Sequence, residues 1–140
     1  MGIDNVILNK TATVERCIQR IEQEYNGFES EFESNFTKQD SIILNLERLA
    51  QAAIDLAAHL VKVKKLGIPQ ENRQLFQMLE KEGIINKELS RSLQAMVGFR
   101  NLAVHQYQEI NLKIVRNIIE TRLHVFKDFT TIALKLIKSG

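Results

Sequence analysis

SIILNLERLAQAAIDLAAHLVKV, residues 41–63, decides the fold. Its apolar positions Ile42, Leu46, Leu49, Ala53, Leu56, Leu60 and Val63 alternate between intervals of four and three. That spacing sets them on one face of an α-helix for three heptads. A second row, Ile43, Ala50, Ile54, Ala57 and Val61, lies about 90° round the same helix at 100° per residue. A helix apolar on two faces packs against two neighbours, one of which can be another chain. Thr37 and Asp40 resemble a capping box for its start, with Asp in place of the usual Glu, and the helix should run to about Leu66 before Gly67 ends it.

The flanking sequence is helical as well. Ile7, Val14, Ile18, Ile21 and Tyr25 form a stripe behind Asp4, which can cap a helix over 4–25. NGFESEFESNF, residues 26–36, is acidic and reads as a connector with one short turn pinned to the core. Pro69 suits the first turn of a short helix that continues to Leu79 or Glu80, and Gly83 stops it. Asn86 caps the next helix, with Leu89, Leu93, Met96, Val97 and Arg100 on one side. HQYQEI, residues 105–110, interrupts. Asn111 then caps a final helix to about Lys138, with Leu112, Val115, Ile119, Phe126, Ala133 and Ile137 inside. No alternating run is bounded by turn dipeptides, so strands are not expected. The reading is an all-α, up-and-down bundle of four main helices plus one short one, a single domain over residues 1–140.

Composition narrows the class. The chain has 140 residues, 44% hydrophobic and 26% charged, enough to fold without a disulfide or structural metal. One cysteine excludes an internal disulfide framework and a Cys-based zinc finger. With 19 basic against 17 acidic residues the charge allows a nucleic-acid partner without arguing for one. The N-terminus lacks the basic start and apolar core of an export signal, and no apolar run spans a membrane, so a cytoplasmic protein is expected.

Most enzyme signatures are missing: no glycine-rich phosphate loop, no GxSxG, no HExxH. His59, His105 and His124 lack metal-ligand spacing, so no metal site and no cofactor are expected. Cys17, beside the first stripe, reads as a buried inert thiol. Asp55 and His59 stand four apart on the long helix. They read as a helix-surface ion pair or as a polar edge lining a cleft or a dimer seam.

MVGFRNLAVHQYQEI, residues 96–110, carries Arg100, His105 and Tyr107. On an unbroken helix Arg100 and His105 would lie about 140° apart and could not converge. If the helix ends near Val104, His105 can fold back toward the guanidinium, and His105 and Tyr107 in an extended segment would point to one side. The structural alternative is a helix-terminal Arg and His bonding the last carbonyls, with Tyr107 at the edge.

RNLAVHQY, residues 100–107, resembles the RX4HXY signature of HEPN-domain proteins in the HepT toxin branch, and no motif position departs from it. NLERLAQAAIDLAAHL, the LGIP after it and MVGFRNLAVH are similar to that branch too, so the likeness covers nearly the whole chain. The resemblance implies a homodimeric, metal-independent endoribonuclease toxin whose motifs meet in one cleft at the dimer interface. It also implies a partner, a minimal nucleotidyltransferase (MNT) antitoxin that silences the toxin by moving AMP from ATP to the motif tyrosine. By position the catalytic residues are Arg100 and His105, and the modified tyrosine is Tyr107; Asp55 and His59 receive no family role.

The residue types suit that chemistry. Metal-free RNA cleavage needs a base for the ribose 2′-OH, an acid for the leaving 5′-oxygen and positive charge on the phosphorane. Imidazole can give or take a proton near neutral pH, worth about 10²- to 10⁴-fold, and a guanidinium holds two phosphate oxygens. One histidine per chain fills one proton-transfer role; a twofold pair fills both. The need for a 2′-OH excludes DNA. AMP on Tyr107 would compete for the same positive charge and block the cleft. Two other readings remain at this level: a HEPN-like dimer that binds RNA or nucleotide without cutting, and a scaffold for a nucleotidyltransferase.

Overall fold

The structure, a computed structural model, describes residues 4–139, with side chains to residue 137. Helix α1 (Asn5–Tyr25) begins where the sequence places it. The Asp4 carboxylate accepts hydrogen bonds from the Val6 and Ile7 amides at 3.0 and 3.2 Å. The stripe from Ile7 to Tyr25 is buried along its length. The acidic connector holds a single 3₁₀ turn, Glu29–Glu31, and buries Phe32 against Tyr25.

Helix α2 (Phe36–Val63) is the axis of the bundle. Every residue of its two apolar rows except Val63 is buried, against α1, α3, α4 and α6. Both rows are therefore covered within one chain, and neither is left for a second copy. Each fully buried Leu or Ile here contributes about 1.5–3 kcal/mol of transfer free energy. α1 and α2 run antiparallel: Asp4 at the start of α1 meets His59 near the end of α2, and Lys38 at the start of α2 meets Glu24.

The ends of α2 differ from expectation. Its cap is Asn35, whose side chain accepts from the Lys38 amide at 3.0 Å, so the helix is already under way at Thr37 and Asp40 is free for another role. At the other end Lys65, not Gly67, takes the left-handed conformation (φ 56°). The Leu66 amide bonds the Val61 carbonyl and the Lys65 amide bonds that of Lys62, a Schellman closure that seats Leu66 on the core. The short helix α3 (Asn72–Lys81) starts later than Pro69, because the intervening Glu71 is extended (φ −152°, ψ 166°). Gly83 ends it as expected, at φ 75°.

Helix α4 (Lys87–His105) is capped by Asn86, which accepts from the Leu89 amide at 2.8 Å. A 3₁₀ turn, Tyr107–Glu109, follows. The expected final long helix is two: α5 (Leu112–Thr121), capped by Asn111, and α6 (Leu123–Ser139). The break falls at Arg122 (φ −120°, ψ −8°), inside the seven-residue gap between Ile119 and Phe126 in the predicted stripe. There the Thr121 hydroxyl donates back to the Asn117 carbonyl at 2.7 Å, and the kink lets Leu123, Val125 and Phe126 all turn inward. The described residues thus form an all-α bundle of six helices, none long and apolar enough to cross a membrane.

Candidate active site

The last two turns of α4 set the geometry. Phe99 and Ala103 anchor the inner face of the helix, and Gln106 closes it by donating its amide to the Leu102 carbonyl at 2.7 Å. Half-buried Ile110 then draws the chain back toward the core before Asn111 starts α5. The Arg, His and Tyr of the motif are presented on this stub.

Arg100 and His105 are both within α4, so the fold-back that would bring them together does not occur. At five residues they are separated by about 140° and about 7.5 Å along the axis. Tyr107 is not in an extended segment beside His105 either, but opens the 3₁₀ turn. Arg100 is half-buried. One of its terminal nitrogens donates to Asn101 Oδ1 at 3.2 Å, and its Nε is buried with no partner. His105 is exposed and makes no hydrogen bond or ion pair with any described residue. The guanidinium is tied only to Asn101, through a terminal nitrogen, and the imidazole is free.

Tyr107 is 43% exposed, and its hydroxyl donates to Asp40 Oδ1 on the first turns of α2. Desolvation of the hydroxyl, then the bond to the Asp40 carboxylate, push its pKa up to about 12. The phenol is therefore protonated at neutral pH and has a carboxylate already placed to take the proton. Asp40 is the residue that sequence reading missed. Four residues past Phe36 it looked like part of a cap; only the antiparallel return of α4 across 67 residues brings Tyr107 to it.

Asp55 and His59 do not pair with each other. His59 Nε2 lies 2.7 Å from Asp4 Oδ2, and Asp55 accepts from Lys10 at 3.0 Å and from Gln51 at 2.8 Å. Both fasten α1 to α2, about 22 and 28 Å along α2 from the level of Asp40. His59 holds the Asp4 carboxyl below the usual carboxylate range. Cys17 is buried, and burial raises its thiol pKa, as an inert core thiol requires.

Beside the stub, an apolar groove of about 440 Å³ runs between α4 and α5, lined by Met96, Phe99, Leu102, Ile114 and Ile118. Of these lining residues Ile114 is the most exposed, at 53%.

The family of proteins described as ribonuclease HepT-like matches residues 14–132. The chain belongs to this HepT-like family. It is 47% identical over 127 residues to the mRNA nuclease HepT of Shewanella oneidensis, covering 91% of this chain and 95% of that one. It is 27% identical over 106 residues to the tRNA nuclease HepT of Aphanizomenon flos-aquae, covering 76% and 72%. A solved structure of the tri-AMPylated Shewanella oneidensis HEPN toxin in complex with MNT antitoxin superimposes with a TM-score of 0.88 at 46% identity, over 93% of this chain and 97% of that one. The expected membership of the HepT branch and the all-α fold agree with these matches.

Proposed function

We propose that this HepT-like chain is the toxin of a HEPN/MNT toxin–antitoxin pair: a single-domain, cytoplasmic, homodimeric endoribonuclease that cuts RNA without metal and is neutralised by AMP transfer to Tyr107. The observation that carries the reading is the free imidazole of His105 at the C-terminal end of α4, five residues beyond Arg100, whose guanidinium is bonded only to Asn101. Because the two groups diverge on one helix, a single chain offers a phosphate only half a site. A twofold axis beside the α4 stub supplies the other half, and the apolar α4–α5 groove with its exposed Ile114 is the surface that a second copy covers. Asp55 and His59 support the dimer from a distance by holding α1 in place.

In the reaction one His105 takes the 2′-OH proton as the 2′-oxygen bonds phosphorus. The other protonates the departing 5′-oxygen, and the Arg100 pair holds the non-bridging oxygens. The product ends in a 2′,3′-cyclic phosphate. In silencing, the Tyr107 oxygen bonds the α-phosphorus of ATP, the bond to pyrophosphate breaks, and the phenol proton passes to Asp40. The attached AMP, with its phosphate two residues from His105, then excludes substrate. Purified protein should cut RNA in EDTA, and His105→Ala should lose cleavage by about 10²-fold or more while keeping its helical content and melting temperature. Equal cleavage by that variant would remove the assignment.

A further inference from the structure

A second cleft, of about 470 Å³, opens between α1 and α2 on the flank away from the apolar rows. Lys10, Arg16 and Arg20 line it from one face of α1, and Arg48 and Asp55 from α2. Four cations face one carboxylate, a net +3, whereas the whole chain carries only +2. The lone carboxylate is already neutralised by Lys10 at 3.0 Å. Arg16, Arg20 and Arg48 make no hydrogen bond or ion pair with any described residue. Neither Arg16 nor Arg48 has a carboxylate three or four residues away on its own helix, and Glu24, four residues from Arg20, pairs with Lys38, so the three arginines line one cavity with no carboxylate partner among the described residues. Arg16 on α1 and Arg48 on α2 line the same cleft as the buried Cys17.

Position gives the ligand class. Since Lys10 pairs with Asp55 across antiparallel helices, Arg20 and Arg48 lie at the end of the cleft toward the start of α2, where Asp40 holds Tyr107. Arg48 is about 12 Å along α2 from Asp40 and about 80° round it. A strand leaving the α4 stub along α2 would run into the arginines first. The cleft is open, most of its lining side chains are charged or amides, and its cations are spread along two helices. We infer that this cleft binds the phosphodiester backbone of single-stranded RNA on its way to the α4 stub, through Arg16, Arg20 and Arg48. The inference rests on the nuclease reading above for the identity of the strand.

The test uses the full chain and the variant Arg16→Gln/Arg20→Gln/Arg48→Gln. A second variant, Lys81→Gln/Lys87→Gln/Lys135→Gln, removes the same charge elsewhere. Binding is measured on a 2′-O-methyl oligonucleotide, which cannot be cut, across a salt series. The arginine variant should bind at least tenfold more weakly, with the log–log salt slope smaller by about 2, from roughly 0.7 per lost phosphate contact. The lysine variant should bind like the parent. In cleavage, the arginine variant should show a raised KM on long RNA and unchanged turnover of a dinucleotide. Equal weakening in both variants, or an unchanged Kd and slope, overturns the inference. If the arginine variant has a lowered melting temperature, the three single substitutions decide, each expected to reduce the slope by about 0.7. Arginine-dependent binding without cleavage by the parent chain would leave the cleft standing and sink the nuclease reading.

Discussion

Two tyrosines of this chain each donate a hydrogen bond to a carboxylate, and their surroundings divide their work. Tyr25, at the end of α1, is 2% exposed. It donates a hydrogen bond to Glu120 on α5, accepts one from Arg116 at 2.8 Å, and packs edge-on against Phe32. Arg116 also reaches the Glu29 carbonyl at 3.0 Å, so one guanidinium ties α1, the acidic connector and α5 together. Tyr107 has the same phenol–carboxylate bond, to Asp40, but no cation beside it and nearly half its surface open. Desolvation first, and the carboxylate second, push both phenols up to about 12. The shared shift shows that an altered pKa alone does not mark a reactive group. Exposure and a free neighbour such as His105 do.

The largest expected difference is in modification. With an MNT partner and ATP, Tyr107→Phe should accept no AMP by intact mass, whereas Tyr25→Phe should be modified like the parent. AMP found on Tyr25 would break the distinction. Next comes the proton acceptor. Asp40→Asn should slow AMP transfer by about 10²- to 10⁴-fold with a changed pH profile, since an amide cannot take the phenol proton. RNA cleavage by that variant should stay near the parent level, because Asp40 touches only the phenol. Stability should show the reverse order: Tyr25→Phe costs about 1–2 kcal/mol in urea unfolding, since Arg116 and Glu120 lose a buried partner, and Tyr107→Phe stays within about 0.5 kcal/mol.

Alkaline pH sharpens the contrast further. A phenol whose folded pKa is raised favours the folded state below its ordinary value near 10, and that contribution disappears as pH rises toward 12. The parent should therefore lose stability between about pH 10 and 12; Tyr25→Phe should flatten that loss most, and Tyr107→Phe should flatten it less, because solvent screens a phenol that is 43% exposed. The smallest effect lies at acid pH. Asp4, lowered chiefly by its bond to His59, should withdraw its stabilisation as pH falls below the usual carboxylate range. Asp4→Ala should remove that dependence.

The buried half of the molecule was legible because its signals are local. The rows of α2, the stripe of α1 and the Asn86 and Asn111 caps lie within a few residues of what they determine. The break at Arg122 was not, because a seven-residue gap in a stripe reads equally as a kink or as a straight helix. The motif at 100–107 was visible as residues but not as geometry: helix α4 runs on through His105, and the Asp40 contact depends on the return of a helix 67 residues away. Likewise the pairing of Asp55 with Lys10 and of His59 with Asp4 required the register of α1 on α2, which overrode the simpler intrahelical spacing.

The central claim is that two copies of the α4 stub make one reaction centre. A tandem dimer joining one parent chain to one His105→Ala chain tests it most directly. With a shared centre that needs two imidazoles, RNA cleavage in EDTA should fall by about 10²-fold or more relative to the parent tandem. Retention of about half the activity would mean that each chain carries its own complete site, and would contradict the account.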